Sequence, residues 1–131
     1  MGALHHIELC VPNLTRAEAS WGWLFGELGY KVNGEWTEGK SWQSGSTYIV
    51  LEQSPARIVV RHDRLRPGLN HLAFNAASRE QVDSLAANAA EHGWRLLFAD
   101  RHPYAGGPDH YAAYLEDRDG FEVELVAPTA V

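Results

Sequence analysis

LNHLAF, residues 69–74, sets a histidine, His71, inside an apolar strand-like run. An imidazole there needs hydrogen bonds or a metal to offset its lost hydration. LHHIEL, residues 4–9, has the same form around His6, 65 positions earlier (71 − 6). With that shift Asn13 falls on Ser78, and both are good helix N-cap residues. A shift of 64 then lays LGYKV, residues 28–32, over HGWRL, residues 92–96, so that Gly29 meets Gly93, each placed to end a helix. It also lays YIVLEQ, residues 48–53, over AAYLED, residues 112–117, and the turn at residues 54–56 over that at residues 118–120. An internal repeat of this length indicates a duplicated structural unit.

Each half reads as strand, helix and three strands. The first strands span about 4–11 and 69–76. The first helix, about 13–28, carries Leu14, Ala17, Trp21, Leu24 and Leu28 at helical spacing. The second, about 78–92, carries Val82, Leu85 and Ala89, and opens with the capping-box pattern SREQ at 78–81. The closing hairpins are predicted at 46–53 with 57–62 and at 110–116 with 121–127, the latter turning at Asp119-Gly120. The expected fold is α+β: one domain of two tandem βαβββ modules, about 1–64 and 65–131, forming a curled mixed sheet around a central cavity.

Composition narrows the partners. The chain has 131 residues, a formal charge of −6 and no run of Lys or Arg, which excludes a broad nucleic-acid or anionic-membrane footprint. No segment reaches the roughly 18 apolar residues of a membrane span, and no secretory pattern opens the chain, so a soluble, cytoplasmic protein is expected. The lone cysteine, Cys10, cannot pair internally and reads as a buried, inert thiol.

Strand alternation puts His6, Glu8 and Cys10 on one face, and His71, Ala73 and Asn75 on the matching face of the second half. In FEVELV, residues 121–126, Phe121, Val123 and Leu125 suit a face under the helix, which turns Glu122 and Glu124 the other way. Two imidazoles and one carboxylate suit a divalent first-row metal. Three protein ligands leave coordination positions open, as catalytic sites require.

LHHIELCVPNLTRAEASWGWLFGELGY at the start, PGLNHLAFNAASREQVDSLAANAAEHGW in the middle and YLEDRDGFEVELV at the end together resemble the vicinal oxygen chelate superfamily, the glyoxalase, bleomycin-resistance and extradiol-dioxygenase group. Arg118 stands where that family's hairpin usually has proline. The resemblance implies that His6, His71 and Glu124 hold a divalent ion (Fe, Mn, Ni, Co or Zn) which chelates neighbouring oxygens of a small substrate. His5 is expected to point away from that ion. Glyoxalases of this kind use a fourth, carboxylate ligand on the last strand of the first module. The repeat alignment puts Val60 there, with Glu52 available only if RIVVR, residues 57–61, is loop; the strand formers Ile58, Val59 and Val60 favour a strand. Three ligands resemble the extradiol dioxygenases instead, and Tyr114 sits where those enzymes keep a substrate-facing tyrosine, with Glu52 a candidate base. His62, His102 and His110 do not match the spacing of their acid/base histidines.

The expected function is a metal-dependent enzyme on a small oxygen-rich substrate, a glyoxalase-like lyase or a ring-cleaving dioxygenase, and a homodimer by resemblance. The alternative is a non-catalytic, resistance-type protein that binds a planar aromatic molecule. Trp36, Trp42, Tyr48, Tyr104 and Tyr111 are its candidate pocket walls, and DRHPYAGGPDH, residues 100–110, a candidate lid.

Overall fold

The computed structural model describes residues 2–129. Two helices and eight strands form two four-stranded mixed sheets, one in each of two compact units, Met1–Val60 and Arg61–Val131.

In the first unit β1 (His6–Cys10) leads into α1 (Leu14–Glu27), followed by β2 (Lys31–Trp36), β3 (Gly39–Ser44) and β4 (Thr47–Glu52). The sheet order is β1-β4-β3-β2, with β1 parallel to β4 and the other pairs antiparallel. Asn13 caps α1, its side chain accepting from the Arg16 amide at 2.8 Å. Gly29, at φ +90, ends it in the left-handed conformation that glycine adopts without a Cβ penalty. Ala17, Trp21, Leu24 and Phe25 pack inward, and Phe25 lies 5.0 Å from the buried Trp42 ring.

The second unit repeats the plan: β5 (Leu72–Asn75), α2 (Arg79–Asn88) continued by a 3-10 turn (Ala89–His92), β6 (Arg95–Leu97), β7 (Ala112–Glu116) and β8 (Glu122–Val126), in the order β5-β8-β7-β6. Ser78 accepts from the Gln81 amide at 3.0 Å while the Gln81 side chain accepts from the Ala77 amide at 2.7 Å, a capping-box-like exchange. Gly93, at φ +84, is the counterpart of Gly29. In the β7–β8 turn the Asp117 carboxylate accepts from the amides of Asp119 and Phe121, both at 2.9 Å. A Cβ on Gly120 would stand 2.3 Å from the His62 carbonyl, so only glycine fits there.

Both βαβββ modules are present, but the last strands of the first lie earlier than the sequence suggests. Residues 57–61 form no strand; Ile58, Val59 and Val60 are 81%, 67% and 62% exposed. The closing hairpin is β3 with β4, so YIVLEQ is the counterpart of β8, not of β7. The physical reason is partnering. β4 already has β1 on one side and β3 on the other, and an isolated β-branched run has no ladder to join. Cys10 also differs from expectation: it is exposed, on the face of β1 opposite the buried Leu9. No helix among the described residues is long and apolar enough to cross a membrane.

Candidate functional site

The β5–β8 pairing sets Ala73 beside Glu124, and β7 sets Tyr114 beside Glu124 from the other side. Alternation along β8 buries Val123 and Leu125 completely on one face, so Glu122 and Glu124 share the other. Both carboxylates are buried, at 4% and 7% exposure, and a buried carboxylate requires partners. Glu124 has three. His71 Nε2 lies 3.1 Å from its Oε1, His110 Nε2 meets its Oε2, and the Tyr114 hydroxyl hydrogen-bonds to it. Burial, then the negative charge of Glu124, pushes the Tyr114 hydroxyl up to about 12. Glu122 is anchored by Arg64 Nε at 2.8 Å, yet burial holds its carboxyl above the usual range.

The orientation of His71 follows from Asn70. The Asn70 amide nitrogen donates to the Arg64 carbonyl at 3.1 Å, which turns its oxygen toward His71 Nδ1 at 2.7 Å. That oxygen can only accept, so Nδ1 carries the hydrogen. Nε2 then presents a lone pair to Glu124 Oε1. Two acceptors 3.1 Å apart require a positive charge between them, a proton or a metal ion. Two donors at about 2.1 Å from one octahedral ion sit roughly 3 Å apart. The donor chemistry and spacing of His71 and Glu124 therefore fit a divalent ion, with Asn70 fixing the tautomer as an outer partner does in metal sites. Among the described residues, no three His, Cys, Asp or Glu side chains are already gathered around one point.

The first unit carries the other predicted residues. His6 stacks on Tyr48, with rings 4.7 Å apart and 4° from parallel, and its Nδ1 lies 2.8 Å from that of His5. His5 thus joins the His6–Tyr48 cluster rather than pointing away. It precedes the first residue of β1, so strand alternation does not govern it. Glu8 faces Val50 in register, as Ala73 faces Glu124. His6 and His71 each lie two residues earlier, so Val50, not Val60, is the counterpart of Glu124 in the first module. Glu52 pairs with Cys10 one step further along the strand face and hydrogen-bonds to Glu8, which raises the Glu8 carboxyl above its usual range. His6, Glu8, Trp36 and Tyr48 line a cavity of about 440 Å³. Of the other aromatics, Trp42 is core, while Tyr111 donates to Asp83 and packs edge-on against Tyr104.

Three participants, Asn70, His110 and Gly106, escaped the sequence reading. His110 was set aside on spacing, yet it reaches Glu124 because residues 98–111 turn repeatedly before β7. Gly106 lies against it: a Cβ there would come 2.6 Å from His110 Cδ2 and 2.7 Å from the Tyr114 hydroxyl. The Gly106-Gly107 pair was the available signal, a close backbone approach in a segment read as a lid or specificity loop.

The fold recurs among known proteins. Over 127 residues the chain is 46% identical to YqjT of Bacillus subtilis (strain 168), covering 96% of this chain and 99% of that protein. A crystal structure of a candidate glyoxalase from Bacillus halodurans superposes with a TM-score of 0.92 at 50% identity, over 98% of this chain and 97% of the other. A variant of the fosfomycin resistance protein FosX from Listeria monocytogenes, solved with Mn(II) and 1S,2S-dihydroxypropylphosphonic acid, shares the fold, with a TM-score of 0.69 at 20% identity over 98% and 92% of the two chains. The profile of one superfamily matches residues 5–114. With paired βαβββ units and most of its length matched, the chain belongs to the Glyoxalase/Bleomycin resistance protein/Dioxygenase superfamily.

Proposed function

We propose that the protein is a metal-dependent enzyme acting on a small oxygen-rich substrate, either a glyoxalase-like lyase or a ring-cleaving dioxygenase. The observation that carries this reading is the Asn70–His71–Glu124 chain, in which Asn70 orients His71 and sets its Nε2 3.1 Å from a buried carboxylate oxygen. His71 and Glu124 would hold a divalent ion, and His6 is the third ligand that the repeat and the family resemblance imply. When bound, the ion would supply Lewis acidity to the neighbouring oxygens of the substrate. Tyr114, beside Glu124, offers its hydroxyl to a substrate oxygen. His110 holds the second oxygen of Glu124 and so fixes the carboxylate plane. Glu52, hydrogen-bonded to Glu8, is a candidate base. Two chains are expected to pair, and sedimentation velocity reads that directly.

Metal analysis of the purified protein is the test. About one Fe, Mn, Ni, Co or Zn ion per chain is expected, lost in His71→Ala and Glu124→Ala. Asn70→Ala is expected to weaken binding by about 10- to 100-fold, the usual effect of losing an outer partner. No bound metal in the unmodified chain, or equal metal in all three variants, would refute the reading.

The cavity of the first unit supports a second reading. Its Trp36 is 44% exposed and it shares the wall with Tyr48, so a planar aromatic compound could be held without chemistry. Undiminished binding of such a compound after chelation of all metal, together with no turnover, would favour sequestration.

A further inference from the structure

A second cavity of the Arg61–Val131 unit, about 450 Å³, is lined by Arg64, Asn70, Phe98, Arg101, Tyr114 and Glu122 among others. Its two guanidiniums are not equivalent. Arg64 is spent on carboxylates, with Nη1 on Glu116 at 2.7 Å and Nε on Glu122 at 2.8 Å. Arg101 pairs with no carboxylate among the described residues. Its guanidinium lies over the Phe98 ring, 5.1 Å from the centroid. The turn holds it there, because the amides of Arg101 and His102 both donate to the Phe98 carbonyl, at 2.9 and 3.0 Å. Phe98 itself sits at φ +54, the one described residue other than glycine in the left-handed region. That conformation is disfavoured for a bulky side chain and persists where the surroundings impose it, often at binding sites. Its ring meets Tyr114 edge-on at 5.5 Å, and Tyr114 meets His71 at 6.1 Å. A guanidinium without a carboxylate partner among the described residues thus lies over Phe98, whose ring reaches His71 through Tyr114.

We propose that Arg101 is a specificity residue that receives a carboxylate carried by the substrate, at the end remote from the oxygens an ion would chelate. This rests on the preceding functional reading and names its substrate class: a small carboxylic acid with a planar or apolar body lying along Phe98. A guanidinium presents paired N–H donors that match a carboxylate. Glu122 does not block the site, since Arg64 compensates it.

The test uses the whole chain after EDTA treatment, so its outcome is separate from that of the metal analysis. Benzoate and benzamide, equal in shape and different in charge, are titrated by NMR at low and high salt. Benzoate is expected to bind about ten-fold more tightly than benzamide at low salt, the gap narrowing at high salt, because the contact is an exposed charge-assisted one. Arg101→Met, which keeps the stem over Phe98, removes the preference; Arg101→Lys keeps most of it. Equal affinities, no saturable binding of benzoate, or a preference that survives Arg101→Met would each overturn the proposal. If these occur while the metal test succeeds, the carboxylate assignment alone falls.

Discussion

Single residues decide what the His71–Glu124 pair can do. His6, His71 and Glu124 are the ligands the sequence suggests, because a histidine or a paired carboxylate is conspicuous in an apolar strand; the His71–Glu124 contact is the part of that set the structure brings together. Asn70, His110 and Gly106 were not legible in the sequence, since their meaning lies in what a turn brings near them. Gly106 is open to a clean measurement. Its φ is not positive, so alanine meets no backbone strain. The added methyl would still press on His110 Cδ2 and the Tyr114 hydroxyl. Neither ring can retreat freely: His110 is tied to Glu124, and Tyr114 stands between His71 and Phe98. Overpacking costs about 1–3 kcal/mol. The stiffer unfolded chain returns roughly 0.4–1 kcal/mol of that. Gly106→Ala is therefore expected to lower the melting temperature by about 4 °C, given roughly 1 kcal/mol net. Gly107→Ala, with no neighbour near its Cβ but φ +128, would act through the backbone instead and leave the His110 and Tyr114 ring resonances in place. Unmoved ring resonances in the Gly106 variant would show that the loop yields rather than the site.

At the scale of elements, the helices and their caps were readable because capping is local chemistry, and both N-cap side chains and both terminal glycines do what their types predict. The strands of the first unit were not. Propensity selects Ile58, Val59 and Val60, but a strand needs a neighbour, and which segments pair is a non-local choice. The end of β7 shows a local charge decision that does carry a measurable consequence. Burial works against a charged Glu116, but Arg95, Arg61 and Arg64 outweigh it and hold the carboxyl below the usual carboxylate range. A depressed carboxylate stabilises the fold fully above its unfolded value of 4.5 and loses that contribution as pH falls through the folded value. Urea midpoints between pH 3 and 7 are expected to fall toward the acid end, and more gently in Glu116→Gln. At pH 7 that variant is expected to lose about 1–2 kcal/mol, less than the 3–5 of a broken buried pair. Arg61 and Arg95 are 57% and 70% exposed and rehydrate, while Arg64 keeps Glu122. A parallel pH profile would mean the arginines do not depend on this carboxylate.

For the whole molecule, the duplication was legible from matched caps and turns, whereas its register was not. A single slip of one residue cannot describe a last strand that begins at Thr47 in one unit and at Glu122 in the other. The longer connection of the second unit, between β6 and β7, carries Phe98, Arg101, Gly106 and His110, so the difference between the copies is also the material of the candidate site. Each unit has its own helix, sheet and buried aromatic core. A bound ion stabilises whatever must be folded to hold it. At 100 times its dissociation constant the gain is about 2.7 kcal/mol, roughly a 10 °C rise for a chain of this size. If His6 is the third ligand, metal addition raises the unfolding of both units, followed by NMR through the indole N–H resonance of Trp42 in the first and of Trp94 in the second, and His6→Ala cancels the rise in both. If the ion is held by the second unit alone, the Trp94 signal shifts while the Trp42 signal does not, and His6→Ala changes neither. That outcome would remove His6 from the ligand set and leave the Asn70–His71–Glu124 chain standing by itself.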